Sequence, residues 1–306
     1  MAEPLTTDTP GTARTGGPDG VPAAPDRTAV PAGLPLPHAV YAAIRARADA
    51  RTAPLVDALL RPSLALEPLA DEAPAPEVPA PGGPAPEARG AQAAGPAVGR
   101  LGGLPALPRG TGWPEFGGRP MQFLAQLDCA ALAAAFRTGG ATTGDGDDRS
   151  LPGEGLLLFF HDEWISDFTG RGCRVLHVPA GSPAGPAPES ELSTPVVPAV
   201  PVGAHWRLSA PSYQDQELED VFPEDFMIAL DLASDFRELL PAPDVRVLGW
   251  CDTDSGRPAG HRPLLQIESR ALDADWGECV NVSFWITDED LAAGRFDRVR
   301  QGFEVA

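Results

Sequence analysis

Lysine is absent from this 306-residue chain; all 23 basic residues are arginine. The composition is rich in Ala, Pro and Gly, as in proteins from GC-rich bacterial genomes, and that bias accounts for the missing Lys without a functional cause. Basic charge is scarce overall. The formal net charge is −20. Residues 1–99 hold 11 acids and 7 Arg (net −4), and residues 100–306 hold 32 acids and 16 Arg (net −16). Such a field repels phosphate backbones and anionic headgroups, so no nucleic-acid or membrane partner is expected, whereas a basic protein partner would be attracted.

Cysteine is scarce too. The four thiols, Cys129, Cys173, Cys251 and Cys279, form no CxxC pair, and the first residues show no apolar signal region. A disulfide scaffold is thereby excluded and a cytoplasmic protein with reduced thiols is expected. No run approaches the roughly 18 apolar residues of a membrane span.

Familiar catalytic patterns are missing as well. The five histidines (His38, His161, His177, His205, His261) make no HxH or HExxH spacing. His161-Asp162-Glu163 offers ligand residue types, but a polar turn after an apolar strand explains it. The Asp145-Gly-Asp-Asp run fails as a calcium loop because Ser150 and Leu156 stand where Gly and Glu are needed. No GxSxG elbow occurs. The Gly-rich 101–110 segment has no Lys to reach a phosphate, and its prolines lack the amide donors of a cradle. Asp288-Glu289-Asp290 reads as the start of a short helix capped by Thr287 or Asp288. No metal or cofactor is expected, and catalysis is disfavoured.

What the chain has in abundance is Pro (36) and Gly (33), together more than a fifth of it, which points to loops and unstructured portions. Residues 1–34 carry too little apolar surface to offset their ordering entropy and read as a disordered tail. Apolar residues at helical spacing (Val40, Tyr41, Ile44, Leu55, Val56, Leu59, Leu60) predict a helical segment over 35–68 packed on the core, with Leu64 and Leu66 able to begin a strand. Residues 73–99, with seven prolines, read as an extended linker or inserted loop. Two further insertions are expected at 138–150 and 179–201.

The remainder, 100–306, reads as mainly β with α+β character. Strands are expected at 121–127, 155–160, 174–178, 206–208, 245–248, 264–268 and 280–286. The last alternates, with Val280, Val282, Phe284 and Ile286 on one face. The 155–160 strand is apolar throughout, as expected of one covered on both faces. Helices are expected at 128–137, capped by Asp128, and at 223–240. Two segments resemble each other. LGG (101–103), PMQFLAQLD (120–128) and GEGLLLFFHDE (153–163) match LGW (248–250), RPLLQIES (262–269) and GECVNVSFWITDEDL (277–291). Internal duplication into two β-rich halves, about 100–178 and 245–300, follows as an expectation. Gln126 and Gln266 hold equivalent places in the two copies. A buried Gln must find partners. Either each fixes strand register, or both line a cleft with aromatic walls such as Trp113 and Trp250.

On these residues the chain resembles the YwqG-like family of unknown function. The matching elements are 101–105, Trp113-Pro114, the 123–128 strand, 247–250, 264–267, Trp276-Gly277, 280–286 and 290–296. One departure is GWCDTDSG, where the family usually shows Tyr-Pro-Asp and Gln. The resemblance implies a mainly-β fold of two similar halves with supporting helices, and no established activity. Some members lie near bacterial toxin–immunity genes. The expected function is a non-catalytic binding or interaction protein of immunity type or regulatory role. The alternatives are an enzyme assembled in a cleft between the halves and a binder of a small polar ligand or sugar, for which Gln126, Gln266, Trp113 and Trp250 are the candidate residues.

Overall fold

A computed structural model describes residues 59–69, 95–138, 151–165, 168–186, 196–221, 226–252 and 258–305. The expected tail at 1–34 and most of the helical and linker segments lie outside the described residues. The strands are β1 (Arg61–Pro68), β2 (Ala97–Leu101), β3 (Glu115–Phe116), β4 (Arg119–Pro120), β5 (Gln122–Asp128), β6 (Leu156–His161), β7 (Cys173–Val178), β8 (Val200–Ser209), β9 (Val245–Val247), β10 (Arg262–Glu268), β11 (Cys279–Ile286) and β12 (Arg300–Val305). The helices are α1 (Cys129–Thr138), α2 (Gln216–Val221), α3 (Phe226–Leu239) and α4 (Asp288–Ala292).

Ten strands form one antiparallel sheet in the order β7-β6-β5-β2-β8-β1-β9-β10-β11-β12, while β3 and β4 make a separate small hairpin. The sheet curls until its two edges approach. Gln301 N–H, in β12, donates to Gly170 O at 2.8 Å just before β7, and the Cys173 thiol faces Val299 O at 3.6 Å. The result is a mainly-β near-barrel.

Burial explains the curl. Along β6, Leu157 and Phe159 face the central core, where Phe159 meets Phe284 of β11 edge to face at 5.1 Å. Leu156, Leu158 and Phe160 face an outer cluster covered by Leu107, Met121 and Trp113. This strand is therefore covered on both sides, as its unbroken apolar run predicts. Helix α1 packs Leu132 and Phe136 into the central core across β1, β2 and β8. Helices α2 and α3 cover the other face of β8 through Leu208, Leu218, Leu232 and Phe236. Each large apolar side chain so buried contributes about 1.5–3 kcal/mol. Both expected caps form: Asp128 Oδ1 accepts from Ala131 N–H at 2.8 Å, and Thr287 Oγ1 accepts from Asp290 N–H at 3.1 Å.

Several expectations are corrected. Residues 61–68 form a strand, as Leu64 and Leu66 allowed, so the helical segment does not extend to 68; both leucines enter the core between β8 and β9. The last residues of the expected linker, 97–99, begin β2, and β8 starts at Val200 within the expected third insertion.

Strand order relates two meanders, β2-β5-β6-β7 and β9-β10-β11-β12. Arg100 opposes Gln126 in the first, and Arg246 opposes Gln266 in the second. A bulge falls between Phe123 and Ala125 in one and between Pro263 and Leu265 in the other. The turn after β2 has Gly102 and Gly103 at positive φ, and the turn after β9 has Leu248 and Gly249. Gly102 N–H donates to Leu124 O as Leu248 N–H donates to Leu264 O. The geometry therefore matches Gly102 with Leu248, one residue off the match that the letters LGG and LGW suggest.

The polar cleft and the arginine–glutamine pairs

The chemistry of the second meander starts from an arginine in an apolar strand. Arg246 lies between Val245 and Val247 in β9 and is only 4% exposed. A buried guanidinium needs partners. Its Nη1 donates to Trp250 O at 2.7 Å and pairs with the Asp252 carboxylate at 2.6 Å. The turn that places Asp252 there is held by Gln266, whose Oε1 accepts from Asp252 N–H at 2.8 Å. Asn281 Nδ2 supports the same loop, donating to Asp252 O at 3.4 Å. Glu268 lies beside Gln266 Nε2 at 3.4 Å. Burial raises the Glu268 pKa, an effect opposed by nearby Arg270 and by the hydrogen bond from Gln266.

Trp250 is buried. Its indole donates to Leu59 O at 2.7 Å, its amide donates to Ser209 Oγ at 3.0 Å, and the Arg61 guanidinium stacks 3.6 Å from its ring. Gly249 permits this. At φ +76 it turns the chain, and a Cβ there would sit 2.3 Å from Ser209 Oγ. Arg246 and Asp252 open onto a cleft of about 240 Å³ that also has Ser212, Phe236, Arg237 and Glu304 in its walls.

The first meander repeats the frame with less chemistry. Arg100 Nη2 donates to Leu104 O, and Gln126 Oε1 accepts from Ala106 N–H at 2.9 Å. Ala106 follows Arg100 by six residues, as Asp252 follows Arg246, so an alanine stands where the second meander has a carboxylate. Burial lowers the Arg100 pKa. Trp113 donates to Met121 O at 2.8 Å and packs edge-on against Phe160.

The sequence-selected residues thus fall in two places. Gln266 and Trp250 flank the Arg246–Asp252 pair, and Gln126 and Trp113 lie on the other meander. Gln126 lies in β5 and Gln266 in β10, and each accepts from the backbone of its own turn, at Ala106 and at Asp252. Each holds backbone after a turn. Arg246 and Asp252 were overlooked; the signal was a charge inside the apolar run VRV.

The thiols and one histidine lie inside. The four cysteines are buried thiols. Burial pushes Cys129 up to about 12 and Cys279 up to about 11, and raises Cys251 well above its ordinary value. His161 is fully buried, with Nε2 2.9 Å from Gln122 Oε1. That oxygen also accepts from the Trp276 indole at 2.8 Å. Burial drives the His161 pKa down to about 3 against the pull of Asp162. Asp162 itself lies 3.5 Å from Arg119. Among the described residues, no three His, Cys, Asp or Glu side chains gather as metal ligands, and no helix is long and apolar enough to cross a membrane.

Fold and site together define a mainly-β near-barrel whose two meanders share an Arg–Gln frame. A family model described as a domain of unknown function (DUF1963) matches residues 99–304, and the chain belongs to that family. YwqG-like proteins are in it. No curated protein matches the chain. The matched span begins after β1, although β1 occupies the middle of the sheet.

Proposed function

We propose that this chain is a YwqG-like, non-catalytic binding protein whose acidic surface takes a basic protein partner, in an immunity-type or regulatory role. One observation carries the reading: the thiols are buried away from an acidic surface. The four thiols and His161 are in the core, whereas carboxylates such as Asp273, Asp275 and Glu278 are exposed. With a net charge of −20, such a surface steers and orients a cationic partner. The shared Arg–Gln frame and bulges support descent of the two meanders from one duplicated unit.

The test is affinity capture with the full chain from extract of its own host, followed by calorimetry with each purified captured protein. A basic partner is expected, its affinity falling at least about tenfold between about 50 and 500 mM salt, as screening of exposed charge requires. Salt-independent binding, or partners without a basic surface, overturns the reading.

A further inference from the structure

We propose that the cleft between α3 and the second meander is a binding site for an α-amino acid with an apolar side chain. One wall is a helix stripe. Ala233, Phe236, Arg237 and Leu240 line the cleft together, spaced by three and four residues as a single helix face requires. Leu240 belongs to that face because its N–H donates to Phe236 O at 2.8 Å and continues the helix. Phe236 is 2% exposed, so the apolar part of the stripe is anchored in the core. The sheet side supplies charge: Arg246 in β9, Asp252 in the turn that follows, and Glu304 in β12.

The polar groups are placed in advance. Asp252 pairs with buried Arg246 at 2.6 Å while its own side chain stays 37% exposed, and Gln266 fixes its backbone. A carboxylate accepts at about four lone-pair sites, so the contacts that Asp252 and Glu304 already make are compatible with a ligand ammonium. Arg237 stands exposed in the last turn of α3, and its planar fork matches a carboxylate two bonds at a time. Arg246 adds a further sign. Its Nε is buried and makes no hydrogen bond among the described residues. A buried donor without an acceptor is costly, and a ligand carboxylate settling between Arg237 and Arg246 supplies one. An α-amino acid offers the matching set: carboxylate for the arginines, ammonium for Asp252 and Glu304, and an apolar side chain for Ala233, Phe236 and Leu240. The volume of about 240 Å³ lies just below the range of drug-sized sites, about 300–1,000 Å³, and suits so small a molecule. A zwitterion carries no net charge, so the field of a protein at −20 does not repel it as it would a free anion.

The proposal does not rest on the protein partner proposed above. The test is isothermal calorimetry of the full chain with leucine, valine, methionine and phenylalanine, followed by glycine and by the N-acetyl and amide derivatives of the tightest ligand. At least one of the four is expected to bind in the micromolar range. Glycine should bind at least about tenfold more weakly, because it brings no apolar side chain. Each derivative should also lose at least about tenfold, because it lacks one of the two charges. Arg237→Ala, at an exposed position, should weaken the tightest ligand at least about tenfold, and Glu304→Gln several-fold. Arg298→Ala, away from this cleft, should change nothing. No heat with any of the four, binding unaffected by either cleft variant, or glycine or a derivative binding as tightly as the parent ligand each overturns the proposal.

Discussion

The two meanders share strand order, bulge position and an Arg–Gln pair, yet bury them to different depths. In the first, Gln126 is half-buried and Arg100 answers a backbone carbonyl beside an exposed Leu104. In the second, Gln266 is 1% and Arg246 4% exposed, and a carboxylate has joined them. One frame can thus serve as a plain turn support or as the wall of a polar cleft. The deciding step is one side chain, Ala106 against Asp252.

Breaking the contact between the meanders should have the largest effect. Phe159→Ala and Phe284→Ala should each cost about 3–5 kcal/mol in urea denaturation. Because the rings touch at 5.1 Å, the double variant should cost less than the sum by roughly 1 kcal/mol. Strict additivity would mean that the pair does not couple the halves.

Removing the two arginines tests the asymmetry directly. Arg246→Ala should cost about 2–4 kcal/mol, less than a fully buried pair because Asp252 keeps some water. Arg100→Ala should cost about 1 kcal/mol. Equal losses would show that the carboxylate adds nothing to the frame.

His161 gives the comparison a pH axis. Its pKa of about 3 in the folded chain lies below the ordinary value near 6.5. Unfolding therefore takes up a proton wherever the unfolded histidine is charged. The stability associated with neutral His161 is whole above about pH 6.5 and is lost as pH falls toward 3. The melting temperature of the wild type should drop over that window more steeply than that of His161→Asn. Parallel curves would remove the histidine from the account.

The caps should give the smallest effects. Asp128→Ala at α1 and Thr287→Ala at α4 should each cost about 1 kcal/mol, read as a shift in denaturation midpoint with unchanged slope.

The sequence was most legible where burial is continuous or alternating: β6, β10 and β11 stand close to their expected limits because their apolar pattern leaves one solution. It was least legible at β2 and β12. The first, AVGRL, has a glycine and a charge within five residues and follows a proline-rich stretch. The second, RQGFEV, lies at the sheet edge with one strand neighbour, β11, and there the apolar requirement relaxes. The turn after β9 misled differently. Letters put Leu248 beside Leu101, but Leu248 adopts φ +57, a conformation normally left to glycine. Its complete burial offsets a cost of roughly 1–2 kcal/mol. The closure of the near-barrel was invisible in the sequence, because Gly170 and Gln301 are more than a hundred positions apart, and only sheet curvature joins them.

Strand β1 has both of its neighbours, β8 and β9, in the later part of the chain. During synthesis from the N-terminus, Arg61 cannot meet its partner until Ser209 has been made. For that interval an apolar strand, SLAL, emerges from the ribosome with two open edges, the condition in which nascent chains cross-pair and aggregate. Its ends carry the remedy. Pro62 and Pro68 deny an intruding strand amide donors, and Arg61 and Glu67 add charge beside them, the guard residues expected around an apolar strand that must wait.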